Sequence, residues 1–236
     1  FSIYRLITEC CDTITSFVEI SLNLKLGLIG NAIAKSRAPS LHLFLGNLHG
    51  FKLTYDLFDP ISNQNDRFIA QLKELQDQGY SGCNITYPFK QMAIESVQNC
   101  EASAQLVGAT NTIKFSTETH AINTDYSGFV RAITSKLDKY EIGSTLILGA
   151  GGVGRAVAFG LASFPAGVCR IFDPSADKAL ELVDALRKHG FDAEIVWPSE
   201  LEKVSQTVEG ILNCSTVGHY KTPGMPINPE YIRHQK

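Results

Sequence analysis

Two oppositely charged side chains, Lys90 and Asp125, stand in polar segments of this 236-residue chain. A lysine steered by a carboxylate can pass a proton to and from a reacting oxygen. The segments around them are rich in hydroxyls and amides: Lys35-Ser36-Arg37-Ala38-Pro39 with His42, then Asn84-Ile85-Thr86-Tyr87-Pro88-Phe89-Lys90, then Gly108-Ala109-Thr110-Asn111-Thr112, then Asn123-Thr124-Asp125. Together these segments offer hydroxyls, amides, an ammonium and a carboxylate, a mix that suits a small polyhydroxylated ligand. Pro88 predicts a helix start, because proline favours the first helical position. Lys90 is then expected in the first turn, where the partial positive charge of the helix end disfavours an ammonium.

A second constellation lies downstream. Residues 145–160 read TLILGAGGVGRAVAFG, an apolar strand running into Gly149, Ala150, Gly151, Gly152, Val153 and Gly154. A strand, a Gly-x-Gly-x-x-Gly turn and a helix form a dinucleotide fingerprint: the turn admits a pyrophosphate, and the helix N-terminus faces its charge. Asp173 ends the next strand, about 20 residues on, where a carboxylate accepts hydrogen bonds from ribose hydroxyls and repels a 2′-phosphate. NAD is therefore expected in preference to NADP.

The same residues have plainer uses. Ser36 and Thr86 suit helix caps, Asn111 and Asn123 suit a hairpin, and Lys90 suits an exposed helix face. His42 suits packing beside its own helix. Asp173 could cap the following helix, a role open to Ser175 as well.

Alternation and helical spacing predict the supporting elements. In the first half these are strands at 22–30, 51–58 and 83–86, and helices at 40–50 and 66–78, the first with Leu41, Phe44, Leu45 and Leu48 on one face and the second with Phe68, Ile69, Leu72 and Leu75. After the helix opened by Pro88 come another over 101–107 and a hairpin with strands near 111–115 and 119–123. A helix near 126–137 leads to strand 145–149, helix 152–163, strand 168–172, helix 175–189, and strands 193–196 and 210–213. The expected fold is two open α/β domains: an N-terminal extension over 1–21, a domain over 22–124 that gathers the polar segments at one sheet end, and a Rossmann-type domain over 125–236.

Composition narrows the function classes. Hydrophobic residues make up 44%, charged residues 19%, and the formal net charge is -3, so neither nucleic acid nor a membrane surface is an expected partner. No apolar run reaches the ~18 residues of a bilayer span. The six cysteines show no metal-ligand spacing, so no metal is expected and reduced thiols in the cytoplasm are. Glu9, Asp12 and Glu19 make a signal peptide unexpected in residues 1–22.

Taken together, the motifs GLIG, S-x-x-P-x-x-H, G-x-N-I-T-x-P-x-K, GA-x-NT, NTD-x-x-GF, GAGG-x-G and N-x-S-T-x-G resemble the shikimate/quinate dehydrogenase family from about Leu26 to Gly218. The resemblance implies a substrate-binding domain and a nucleotide domain with the active site between them. It implies Lys90 as catalytic lysine and Asp125 as its partner. Ser36, Asn84, Thr86 and Asn111 would hold the substrate, and Gly149–Gly154, Asp173 and Ser215 the cofactor. The implied reaction is reversible oxidation of one ring hydroxyl of shikimate or quinate to the 3-dehydro ketone.

The chain departs from that pattern in several places. Where the family has H-S-x-S-P, Lys35 and Ala38 replace the histidine and second serine, removing a hydroxyl contact worth about 1 kcal/mol. Arg37 or Lys35 offers charge in compensation. Asp173-Pro174-Ser175 stands where NADP-using members carry Asn-Arg-Thr, and this, with Tyr87, resembles the NAD-using branch. The resemblance also implies a further strand, a tyrosine-bearing loop and a closing helix with a substrate-binding glutamine after residue 236, so the nucleotide domain is expected to be incomplete at its C-terminus. Ile3, Leu6, Ile7 and Cys10 have helical spacing and are expected to form an added helix or an oligomer contact such as a homodimer. Two other readings stand beside this one: a non-catalytic dinucleotide-binding regulator, and an enzyme of the methylene-tetrahydrofolate dehydrogenase type.

Overall fold

The computed structural model describes residues 23–60, 65–136 and 142–232. The chain divides into two compact units, one ending at Thr124 and the other beginning at Asp125, with Leu106–Gly108 grouped with the second. The expectations for residues 1–21 lie outside the described residues.

The first unit is built on a six-stranded mixed sheet in the order β2-β1-β3-β5-β6-β4. Its strands are β1 (Asn23–Ile29), β2 (Lys52–Phe58), β3 (Gly82–Ile85), β4 (Asn99–Cys100), β5 (Thr112–Phe115) and β6 (Thr119–Ile122). β1, β2 and β3 run parallel, whereas β5 pairs antiparallel with β3 and with β6. Successive strand residues point to opposite faces, so each face collects its own core. Leu26, Leu28, Ile33 and Tyr55 cluster on one side. Ile29, Cys83, Ile85 and Ile113 join Phe68, Leu72, Leu75 and Phe89 on the other.

Helix α1 (Ala38–Leu48) crosses from β1 to β2, and α2 (Asn65–Asp77) crosses from β2 to β3. α2 buries Phe68, Leu72 and Leu75, but Ile69 points outward. The apolar face expected of α1 is not the buried one: Leu41, Phe44 and Leu48 are exposed and Gly46 is the buried position. A side chain at Gly46 would meet Leu53 Cβ at 3.0 Å, so the helix approaches β2 through its smallest residue. The helix expected to open at Pro88 is also corrected. A turn occupies residues 87–91, the Tyr87–Pro88 bond is cis, and a 3-10 helix follows over Met92–Ser96. The Lys90 carbonyl, which an α-helix would give to the residue four further on, instead accepts the Thr110 N–H at 2.8 Å. Helix α3 (Ala102–Val107) leads into the β5–β6 hairpin.

The second unit holds four parallel strands in the order β10-β7-β8-β9: β7 (Thr145–Leu148), β8 (Cys169–Phe172), β9 (Ala193–Ile195) and β10 (Gly210–Asn213). β7 is buried along its whole length, as a parallel strand covered on both faces should be. Helices α4 (Thr124–Lys136), α5 (Gly152–Leu161) and α6 (Ala176–Lys188) accompany the strands, with a further helix α7 (Leu201–Thr207) that was not expected. α6 is amphipathic, burying Ala179, Leu182, Val183 and Leu186, the i, i+3, i+4, i+7 positions of one helix face. α5 is buried from Gly154 to Leu161, including the Arg155 guanidinium, which donates from Nε to the Val107 carbonyl at 2.7 Å and pairs with Glu181 at 3.1 Å.

Candidate functional site

In the first unit the polar segments converge on one end of the sheet. The order β2-β1-β3 means the chain winds one way from β1 and then the other, and the crevice beyond the carboxyl ends at such a switch is where open α/β sheets bind ligands. The loops there are joined through the backbone. Thr86 N donates to Ile29 O at 2.9 Å, Asn31 N to Tyr87 O at 2.8 Å, and Ile85 N to Asn111 O at 2.8 Å. Thr86 packs so tightly on Gly30 that a Cβ there would lie 2.0 Å from the threonine methyl. The glycine that follows β1 therefore makes room for the Thr86 side chain, not for a turn.

Each first-unit residue then has a definite environment. Ser36 precedes α1, and its hydroxyl oxygen accepts the Ala38 N–H at 3.2 Å, which leaves the hydroxyl hydrogen to donate elsewhere. Asn84, on β3, donates from Nδ2 to Thr112 Oγ1 at 3.1 Å and accepts the Tyr55 phenol at 2.7 Å. Asn111 Oδ1 accepts the Thr124 N–H at 2.8 Å, and Asn111 Nδ2 donates to Thr124 Oγ1 at 2.7 Å. Asn123 is fully buried and donates to the Ala109 carbonyl at 2.8 Å, a hairpin-fastening role. Lys90 sits half-buried on the turn after β3, and since that turn is not a helix N-terminus, the helix dipole drops out of the argument for its chemistry. His42 stacks on the Tyr55 ring with centroids 4.6 Å apart, and burial lowers its pKa to about 4. Tyr55 belongs to this array without having been singled out from sequence, and Thr112, quoted only within the Gly108–Thr112 segment, supplies the hydroxyl that Asn84 meets. Tyr55 stands on a strand that also carries Lys52, Thr54 and Asp56, so one more polar tip did not stand out there.

In the second unit β7 lies between β8 and β10, so its carboxyl end is again a switch point, and the glycine loop sits there. Gly149 has φ +108°, in the region that favours glycine, and a Cβ on it would lie 2.9 Å from the backbone of Cys214 and Ser215. A Cβ on Gly154 would lie 1.9 Å from the Gly149 carbonyl oxygen, so this glycine seats α5 against the loop. Gly151 is different: nothing in the protein lies within 4 Å of its Cβ position. Packing does not require a glycine there, whereas close approach of a ligand to the backbone at the N-cap of α5 does. Asp173 accepts the Ala150 N–H through Oδ2 at 2.8 Å and the Ser175 N–H through Oδ1 at 2.9 Å. The carboxylate thus braces the loop and the turn into α6 while keeping further lone pairs for ligand hydroxyls, and Ser175, the N-cap of α6, makes no cap bond with its own side chain. Ser215 is committed to its turn: its hydroxyl donates to Asn213 Oδ1 at 2.7 Å and accepts the Val217 N–H at 3.1 Å. Asn213, the first residue of the N-x-S-T-x-G motif, organises this loop beside Gly149. Asp125 occupies the first turn of α4.

The loop chemistry therefore fits a dinucleotide in the second unit, and the first unit carries a polar array fit for hydroxyls and a carboxylate. Among the described residues no cluster of metal ligands occurs, and no helix is long and apolar enough to cross a membrane.

Comparison with known proteins gives the same picture. Residues 28–113 match the shikimate dehydrogenase substrate binding domain. The chain is 31% identical over 212 residues to a shikimate dehydrogenase (NADP(+)) of Streptomyces avermitilis, covering 87% of this chain and 72% of that protein. It is 30% identical over 213 residues to a quinate/shikimate dehydrogenase (NAD(+)) of Corynebacterium efficiens, covering 86% of this chain and 73% of that one. The structure superposes on that of a quinate dehydrogenase from Corynebacterium glutamicum in complex with NAD with a TM-score of 0.78 at 28% identity, over 89% of this chain and 77% of the other.

Proposed function

Because this chain belongs to the shikimate/quinate dehydrogenase family, we propose that it oxidises a ring hydroxyl of shikimate or quinate reversibly with NAD as the preferred cofactor, using Lys90 and Asp125 for the proton. The observation that carries this reading is the hydrogen-bonded array at the carboxyl end of the first sheet. There Asn84 and Asn111 are held by neighbouring side chains, and the Lys90 turn is tied through its carbonyl to Thr110.

In this reading the first unit binds the substrate. Ser36 donates its hydroxyl hydrogen to the ring carboxylate, and Asn84, Thr86 and Asn111 take the ring hydroxyls. Ala38 supplies no second hydroxyl, so the nearby cations Lys35 and Arg37 carry more of the carboxylate's recognition. Gly149–Gly154 hold the pyrophosphate, Asp173 takes the ribose hydroxyls, and the backbone beside Ser215 closes the loop against Gly149. When bound, the nicotinamide supplies the hydride acceptor. Lys90 takes the hydroxyl proton as the carbonyl forms and returns it in the reverse direction, and Asp125 orients the ammonium. The preference for NAD rests on Asp173, whose charge repels a 2′-phosphate. The thiols of Cys83, Cys100, Cys169 and Cys214 are free, which supports a reducing compartment such as the cytoplasm.

Replacement of Lys90 by alanine tests the assignment. Loss of a positioned acid–base group costs about 10²–10⁴-fold in kcat, with the cofactor KM unchanged. A Lys90→Ala enzyme within threefold of the wild-type kcat would remove Lys90 from the mechanism.

A further inference from the structure

One continuous hydrogen-bonded chain runs through the first unit from the edge strand β2 to Thr124, and its direction is set by a single backbone group. The Thr124 N–H can only donate, so the oxygen of Asn111 must face it, at 2.8 Å. That same oxygen lies 3.2 Å from Thr112 Oγ1 and carries no hydrogen, so the threonine hydroxyl donates to it. Thr112 Oγ1, having given its hydrogen, accepts from Asn84 at 3.1 Å, which forces the Asn84 amide nitrogen toward Thr112. The Asn111 main-chain carbonyl, 3.4 Å from the same nitrogen, requires the same orientation independently. Asn84 Oδ1 therefore faces the other way, toward the Tyr55 phenol at 2.7 Å, and the phenol donates.

Tyr55 reaches Asn84 across β1. It is paired in register with Leu26, and Asn84 with Leu28, two positions along, so both side chains project from the same face of the sheet. Tyr55 is 8% exposed, and burial pushes the pKa of its phenol well above the ordinary tyrosine value, which keeps it protonated as a donor. The His42 imidazole, stacked at 4.6 Å with ring planes 17° apart, holds the ring from α1. With both amide hydrogens engaged inside the protein, Asn84 offers a ligand the remaining lone pair of Oδ1.

We propose that Tyr55 is a positioning residue for substrate: its phenol locks the Asn84 amide so that Oδ1 accepts a hydrogen bond from a ring hydroxyl. This rests on the assignment of Asn84 to the substrate site.

The test uses Tyr55→Phe in the full chain, which keeps the ring and the stack and removes one oxygen. The substrate KM, with shikimate or quinate, is expected to rise about 3–10-fold, the worth of one such hydrogen bond, while kcat and the NAD KM stay within twofold. In an Asn84→Ala background the same substitution is expected to add nothing, because its effect passes through Asn84. A substrate KM within twofold of wild type, or full additivity with Asn84→Ala, overturns the proposal. A second readout separates it from the functional reading. The side-chain amide resonances of Asn84, identified by their loss in Asn84→Asp, are expected to shift in Tyr55→Phe whatever the enzyme acts on. Unshifted resonances overturn the positioning role even in an active enzyme. Shifted resonances in Tyr55→Phe, together with a wild-type protein that neither binds nor turns over shikimate or quinate, would refute the substrate assignment, and with it the use proposed for the lock.

Discussion

Two glycines of the loop after β7 should fail in opposite ways when replaced by alanine. A Cβ on Gly154 would stand 1.9 Å from the Gly149 carbonyl oxygen and 2.9 Å from its carbonyl carbon. These are backbone atoms of a loop held by Gly149 N to Phe172 O at 2.7 Å, so they cannot swing aside. α5 would have to retreat by about 1 Å, an overpacking cost of about 1–3 kcal/mol, lowering the melting temperature by roughly 2–12 °C. Gly151 has φ −74° and ψ −171°, a conformation open to alanine, and its Cβ position is free of protein atoms. Gly151→Ala should therefore be neutral or more stable by about 0.4–1 kcal/mol, through the unfolded chain. It would, however, put a methyl where a pyrophosphate must approach, and a rise of about tenfold or more in cofactor KM is expected, ~1.4 kcal/mol or more. Thermal melts of the apo-proteins and cofactor titrations at saturating substrate measure the two effects. The reasoning is refuted if Gly151→Ala melts as low as Gly154→Ala, or if it leaves the cofactor KM unchanged.

Asp173→Asn keeps an acceptor for the loop but removes the charge. Repulsion between unit charges about 4 Å apart is ~1–4 kcal/mol between bulk water and a protein surface, so the preference for NAD over NADP in kcat/KM should fall by roughly 30-fold; an unchanged ratio would clear Asp173 of the selectivity. His42 gives the protein an acid sensitivity. Its pKa is lowered to about 4 by burial, against about 6.5 when unfolded. Above pH 6.5 both states are neutral and nothing is lost. As pH falls from 6.5 toward 4, the unfolded chain takes up a proton that the native state refuses, and about 2 kcal/mol of stability should go once solvent screening of the half-buried ring is allowed for. Denaturant melts at pH 7.5 and 4.5 should show a smaller drop for His42→Gln than for wild type; equal drops would exclude the imidazole as the source.

Much of this architecture was legible in the sequence because its strands carry strong local patterns. The buried run of β7 and the spacing of apolar residues in α6 each reflect a burial pattern that packing then kept, whereas β1, expected from its alternation, is buried without a break from Leu26 to Ile29. The failures share a cause: tertiary contacts overrode local preference. Pro88 suggested a helix, but Thr110 takes the Lys90 carbonyl and the segment becomes a turn. Leu41, Phe44 and Leu48 suggested the buried face of α1, but Gly46 allows closer approach to β2. α7 spans only Leu201–Thr207, too short for its period to stand out. In the candidate site, Ser36, Asn84, Thr86, Lys90 and Asn111 were visible as polar residues at or after the ends of apolar strands. Tyr55 was not, because its phenol reaches across β1 to Asn84 on a strand 29 residues along the chain. Ser215 was visible as a motif residue, yet its hydroxyl is spent within its own turn on Asn213 and Val217.

The most direct test of the central claim is reduction of nicotinamide by the purified protein, followed by absorbance, with NAD or NADP against shikimate or quinate. The account predicts turnover of at least one of the two acids, with a higher kcat/KM for NAD than for NADP. Faster turnover with NADP would contradict the role given to Asp173, and no reduction with any of the pairs would contradict the account as a whole.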